Sequence, residues 1–218
     1  MSRRIHVINP NSNQLVTDGI AQAIEPMQFS DGPAIYCSTL ADGPFGIESQ
    51  ADSDSVVMPL CELVRNDSES AAFIIACYSD PGLHACRDAT DKPVFGIAEC
   101  GVMTALVRAD RFGVLAIANA SIQRHLRYLR QMGLTDRLAG ERPLDMSVAE
   151  TASGSDTLNR MITVGTALRD LDGAGALVMG CAGMARHRAP LEQALGIPVI
   201  DPTQAAVTMA IGTLMAAG

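Results

Sequence analysis

One pattern occurs twice in this chain and restricts what it can fold into. The stretch Ala176-Leu177-Val178-Met179-Gly180-Cys181-Ala182-Gly183-Met184 is an apolar run that stops at a glycine, presents a cysteine and turns into a helical pattern. About a hundred residues earlier, Ala71-Ala72-Phe73-Ile74-Ile75-Ala76-Cys77-Tyr78-Ser79-Asp80-Pro81-Gly82 does nearly the same. Short apolar runs bounded by turn residues and followed by helices are the units of a parallel sheet.

The rest of the chain keeps that alternation. Strands are expected at 4–8, 34–38, 71–76, 94–96, 111–117, 144–148, 175–179 and 198–200. Helices are expected at 12–25, 48–66, 99–108, 122–132, 156–171, 184–195 and 202–216, with one more from Pro81 to before Lys92. Asn11 or Ser12 suits the cap of the first helix, and Asp80-Pro81 reads as an N-cap followed by proline at the first helical position.

The two halves can be laid on each other. Ile8-Asn9-Pro10-Asn11-Ser12 matches Ile117-Ala118-Asn119-Ala120-Ser121 at an offset of 109. Cys77 matches Cys181 at 104, and Lys92-Pro93-Val94 matches Ile197-Pro198-Val199 at 105. Nearly constant offsets point to an internal repeat, although shared strand–turn–helix grammar also produces such matches. The expected fold is α/β, with two similar lobes related by a pseudo-two-fold axis, each a short parallel sheet flanked by helices. The lobes are expected at 1–97, joined by the C-terminal helix (about 201–218), and at 98–200. Ligands of such sheets bind beyond the carboxyl ends of the strands. Two facing lobes put Asn9, Cys77, Asn119 and Cys181 around one cleft.

Composition narrows the function. With 218 residues, 48% hydrophobic and 18% charged, the chain builds a real core. A net charge of -8 argues against nucleic acid or an anionic membrane as partner. The apolar run after Arg3 and Arg4 stops at Ile8, too short for a signal peptide, and no run reaches membrane-spanning length. Six cysteines without a C-x-x-C pair read as reduced thiols in a cytoplasmic protein. Cys37, Cys61, Cys86 and Cys100 read as small core hydrophobes.

A cysteine between a strand and a helix N-terminus is placed to ionise, because free backbone N–H groups and the helix dipole lower its pKa. Two such thiols on opposite sides of one carbon can remove a proton from one face and return one to the other, which inverts the centre. Helix-start N–H groups after Cys77 and Cys181, with Asn9, Asn11 and Ser12 or Ser121, can donate to a developing enolate oxygen. Asn9-Pro10-Asn11-Ser12 is equally readable as an ordinary turn and cap.

No cofactor is expected. Lys92, the only lysine, sits at the start of a strand, which excludes a pyridoxal Schiff base. No dinucleotide or phosphate-loop glycine pattern follows a strand. His6, His84, His125 and His187 are scattered, without metal-ligand spacing, so no metal is expected either.

Four segments resemble the hydantoin racemase branch of the aspartate/glutamate racemase superfamily. They are Val7-Ile8-Asn9-Pro10-Asn11-Ser12, Gly43-Pro44-Phe45-Gly46-Ile47-Glu48-Ser49, Cys77-Tyr78-Ser79-Asp80-Pro81-Gly82-Leu83 and Gly180-Cys181-Ala182-Gly183-Met184. The resemblance spans the chain through Pro198-Val199-Ile200-Asp201. It implies two lobes, a cleft between them, no cofactor, a catalytic pair at Cys77 and Cys181, homo-oligomers, and a 5-substituted hydantoin or allantoin as the small-molecule substrate. The substrate-contacting set it suggests adds Phe45, Ile47, Tyr78, Ser79, Ala182, Gly183 and Met184 to Asn9, Asn11, Ser12, Asn119 and Ser121.

Departures separate this chain from other branches. Glutamate racemases carry Asn-Thr and Thr-His after the two cysteines, where Tyr78-Ser79 and Ala182-Gly183 stand here. The decarboxylase relatives keep only the second cysteine. These motifs carry no basic residue to pair a substrate carboxylate, which speaks against an acidic amino acid. Racemisation of an amino acid, and isomerisation or decarboxylation of a small diacid, stay open on the same fold. So does a non-enzymatic sensor with a redox thiol pair.

Overall fold

The computed structural model describes residues 4–153 and 156–216, so the outer ends of the expected lobes, at 1–3 and 217–218, lie outside the described residues. Strand β1 (Arg4–Asn9) is buried from Ile5 onward, and β3 (Ala72–Ile75) along its whole length. Near-continuous apolar strands of this kind belong to parallel sheets covered on both faces. With β2 (Ala34–Thr39) and β4 (Val94–Gly96) they form a four-stranded parallel sheet in the order β2-β1-β3-β4.

The second half repeats this order. Strands β5 (Phe112–Ala116), β6 (Leu138–Pro143), β7 (Ala176–Met179) and β8 (Val199–Ile200) form a second parallel sheet, β6-β5-β7-β8. Identical strand order in two separate sheets makes the internal repeat structural. The register refines it: Ile8 pairs with Ile75, and Leu115 pairs with Met179. Ile8 is therefore equivalent to Leu115 rather than Ile117, and the match expected around Asn9 and Asn119 slips by two residues.

Helices α1 (Gln14–Ile24), α2 (Gln50–Ser55), α3 (Val57–Asn66) and α4 (Leu83–Ala89) belong to the first half. Then follow α5 (Ile97–Arg108), α6 (Asn119–Gln131), α7 (Val148–Ser153), α8 (Thr157–Asp170), α9 (Arg188–Leu195) and α10 (Pro202–Ala216). The last helix packs on α5 and reaches back to β3, β1 and β4 of the first sheet. Its start lies close to α5 because Gly101 lacks a side chain; a Cβ there would sit 2.9 Å from Pro202 Cβ.

Four local expectations are corrected. The strand expected at 144–148 is instead β6, six residues earlier in the chain. Leu144 and Met146 still donate to the carbonyls of Ala116 and Ile117, at 2.8 and 2.9 Å, so the alternating apolar pattern there is the tail of that pairing. Asn13, not Asn11 or Ser12, caps α1 by accepting from the Leu15 N–H. The single helix expected at 48–66 is broken at Val56, with a Ser49–Asp52 capping box opening the first piece. Asp80 does not cap its own helix, which starts at Gly82 and Leu83. Its carboxylate reaches forward to accept from Ala98 and Glu99 N–H, both at 2.9 Å, and so caps α5.

Candidate active site

Cys77 and Cys181 each lie just past the carboxyl end of a central strand. Ala76 N–H donates to Ile8 at 2.8 Å and Gly180 N–H to Leu115 at 2.9 Å, so the two cysteines leave equivalent rungs of the two ladders. Gly180 is required for this approach, because a Cβ there would sit 2.5 Å from the Leu115 carbonyl oxygen. Past each cysteine the chain turns, and the backbone N–H of the second residue on, Ser79 or Gly183, points at the sulfur. Thr151 Oγ1 adds a contact to Cys181 Sγ at 3.8 Å.

Both cysteines line one cavity of about 30 Å³, together with Ile47 and Val148. Cys77 keeps some exposed surface and Cys181 is buried.

The expectation that helix N-termini lower the thiol pKa values is corrected. Burial outweighs the single N–H that each sulfur receives. It pushes Cys77 up to about 12, and the proximity of Cys181 and Asp80 pushes the same way, while Arg124 pulls it down. Cys181 is raised as well, first by burial, with the Gly183 N–H and Thr151 acting against it. Only Cys181 directly precedes a helical turn, the 3-10 segment Ala182–His187; after Cys77 five residues intervene before α4.

Six of the expected contact residues line the cavity: Asn11, Ile47, Tyr78, Ser79, Ser121 and Ala182. Asn11 Oδ1 accepts from Asn9 Nδ2 and Asn13 N–H, both at 3.0 Å, which leaves its Nδ2 as a free donor among the described residues. Ser121 lines the wall as an acceptor, since its hydroxyl donates to the Ala118 carbonyl at 2.7 Å.

The others fall elsewhere. Asn9 is 1% exposed and spends its amide on Asn11, Asn13 and Thr17, holding the turn that aims Asn11. Ser12 ties its N–H to the Pro44 carbonyl, outside the cavity. Phe45 is 65% exposed. Asn119 is exposed at the start of α6, consistent with the slipped register. Met184 is fully buried in the core, and Gly183 serves through its backbone N–H.

Two polar cavity residues escape the sequence reading, Arg124 and His125 of α6. Arg124 Nε donates to Ser79 Oγ at 2.8 Å. His125 Nδ1 lies 2.5 Å from Glu141 Oε1, and its ring meets Tyr78 edge-on at 5.0 Å. The absence of a basic residue, inferred from the motifs, is thus overturned by a neighbouring helix. The only available signal was the adjacency of Arg124 and His125 after an expected strand end. Among the described residues, no group of three or more His, Cys, Asp or Glu side chains is placed to hold a metal ion. No helix among them is long and apolar enough to cross a membrane.

The chain resembles known proteins over nearly its full length. It is 35% identical to the hydantoin racemase of Paenarthrobacter aurescens over 95% of this chain and 89% of that one. The structure of an allantoin racemase from Klebsiella pneumoniae superposes with a TM-score of 0.91 at 31% identity, covering 100% of this chain and 89% of the other. The allantoin racemase of Pseudomonas fluorescens superposes at 0.92 with 26% identity, over 98% and 92% of the two chains. The family model for Asp/Glu/Hydantoin racemase matches residues 5–210. On that evidence the chain belongs to the Asp/Glu/Hydantoin racemase family and is an enzyme of the racemase type.

Proposed function

We propose that this enzyme racemises a 5-substituted hydantoin, allantoin among the candidates, by two-base proton transfer between Cys77 and Cys181 without a cofactor. The observation that carries the reading is the equivalence of the two thiols: they end corresponding strands and line the same cavity. The names of the similar proteins supply the substrate class. One cysteine, as thiolate, takes the proton from C5. The C–H electron pair moves into the adjacent carbonyl and forms an enolate. The other cysteine, as thiol, returns a proton from the opposite face. The pair ends with thiol and thiolate exchanged, ready for the reverse direction.

Asn11 Nδ2 and the backbone N–H groups at Ser79 and Gly183 are the donors nearest this chemistry. The proposal includes two lobes at 1–97 with the last helix and 98–200, a homo-oligomer, and a reducing cytoplasmic setting, which keeps both thiols free.

The test is polarimetry of the purified protein on enantiopure hydantoins and allantoin, with Cys77→Ser and Cys181→Ser beside it. Each variant is expected to lose racemisation. In deuterated solvent, each is expected to exchange the C5 proton of one enantiomer only. Full turnover by either variant would remove the two-base scheme. Turnover of acidic amino acids or diacids in place of hydantoins would replace the substrate class.

A further inference from the structure

Arg124 stands apart from the other arginines. It is the only buried arginine among the described residues, at 9% exposure. Arg4, Arg87 and Arg142 each hold a carboxylate within ion-pair distance; among the described residues Arg124 holds none. The exposed carboxylate of Asp52 feels its charge, but no ion pair forms. Its one hydrogen bond among the described residues, Nε to Ser79 Oγ, is to a neutral hydroxyl. The adjacent His125 differs, because Glu141 faces it directly. A cation held in a small cavity without a counter-ion is costly unless something anionic joins it.

Its position says what that anion is. Ser79, which anchors the guanidinium, lies two residues past Cys77 and directs its own N–H at the same sulfur. Arg124 is therefore tied to the turn that carries one thiol, and it lines the same cavity. In the proposed reaction one negative charge never leaves that cavity. It starts on sulfur, moves to the enolate oxygen when C5 gives up its proton, and returns to sulfur on reprotonation.

We propose that Arg124 is the fixed counter-cation for this travelling charge, stabilising the Cys77 thiolate and then the substrate enolate oxygen through its free Nη groups. This rests on the racemase reading for its second half only. Ser79 is a positioning residue that aims the guanidinium.

The kinetic test compares wild type, Arg124→Gln, Arg124→Lys and Ser79→Ala on one neutral hydantoin. Arg124→Gln is expected to lower kcat about a hundredfold with KM changed less than about threefold, the pattern of a group that acts on developing charge. Arg124→Lys is expected to recover part of the loss, and Ser79→Ala to fall between. A second readout needs no substrate. In a Cys181→Ser background, the rate at which iodoacetamide alkylates Cys77 at pH 8 is expected to drop roughly tenfold in Arg124→Gln, about one unit of thiol pKa. Thermal melts identify any variant that fails to fold, and Arg124→Lys then carries the comparison. Unchanged kcat, a rise in KM alone, or an unchanged alkylation rate would overturn the assignment. If wild type racemises no hydantoin, the functional reading fails separately, and the alkylation rate alone decides the role of Arg124.

Discussion

Burial pushes the Cys77 thiol up to about 12, so below that value each unit of pH multiplies its thiolate fraction by ten. Cys181 is raised too, first by burial, so both cysteines favour the thiol form. The sign is fixed: a raised thiol pKa favours the protonated form, and the reactive form grows as pH rises. We expect kcat/KM for racemisation to rise with a slope near one in log units between pH 7 and 9. A flat profile over that range would show that the thiolate is already formed or is not the base. The two cysteines are legible in the sequence because strand, thiol and turn lie next to each other along the chain. Arg124 and His125 are not, since a helix with polar residues reads as a solvated face. Only tertiary packing brings that face of α6 against Cys77 and Tyr78.

At the scale of elements, α5 and α10 occupy equivalent places after β4 and β8, and each starts under a buried carboxylate, Asp80 and Asp201. Gly96 makes room for the first, since a Cβ there would sit 2.3 Å from the Asp80 carboxyl carbon. Burial raises Asp201 to about 6 and Asp80 to about 7. The folded state therefore holds these protons more tightly than the unfolded chain. Their contribution to stability is complete below about pH 4 and is lost as pH rises through those values.

Asp201 gives the cleaner test. Its Oδ1 accepts from Thr203 and Gln204 N–H at 2.8 and 3.1 Å, while its Oδ2 is buried with no partner among the described residues. Asp201→Asn keeps the capping oxygen and removes the charge. It is expected to gain up to about 3 kcal/mol over wild type at pH 8 and little at pH 4, by urea melts at both values. An equal difference at the two pH values would mean that charge burial at Asp201 is not what limits the helix start. The helix start at Pro202 is legible in the sequence because the N–H groups that Asp201 caps are only two and three residues away. It misreads Asp80 because that carboxylate serves amides 18 and 19 residues on. The edge strand β6 is hidden for a similar reason: Leu-Ala-Gly-Glu-Arg-Pro is only partly buried and has no apolar run to mark it.

The whole molecule joins its halves differently in front of the cavity and behind it. Behind, α5 and α10 pack together, and one apolar cluster includes Ile74 from the first sheet and Val178 from the second. In front, α1 packs on the Ala182–His187 segment and on α7, and polar links run beside it. Val148 N–H donates to Glu48 Oε1 at 3.1 Å, and Arg127 Nη2 donates to Gln50 Oε1 at 2.7 Å. Bonds of that kind exchange readily with water, whereas the apolar contact behind resists separation. The cavity between the two cysteines measures about 30 Å³. Pockets for small molecules run roughly ten times larger. We expect ligand entry to part the polar links between 46–50 and the second half. Amides at 46–50 and in α7 are expected to exchange with deuterium faster than those of β3 and β7 in the free enzyme, and to slow several-fold at saturating hydantoin. Exchange at the seam as slow as in the central strands, with no response to ligand, would mean that the front of the molecule does not open and that access runs along another route, past Ser79 and Arg124, which also line the outer groove beside α4.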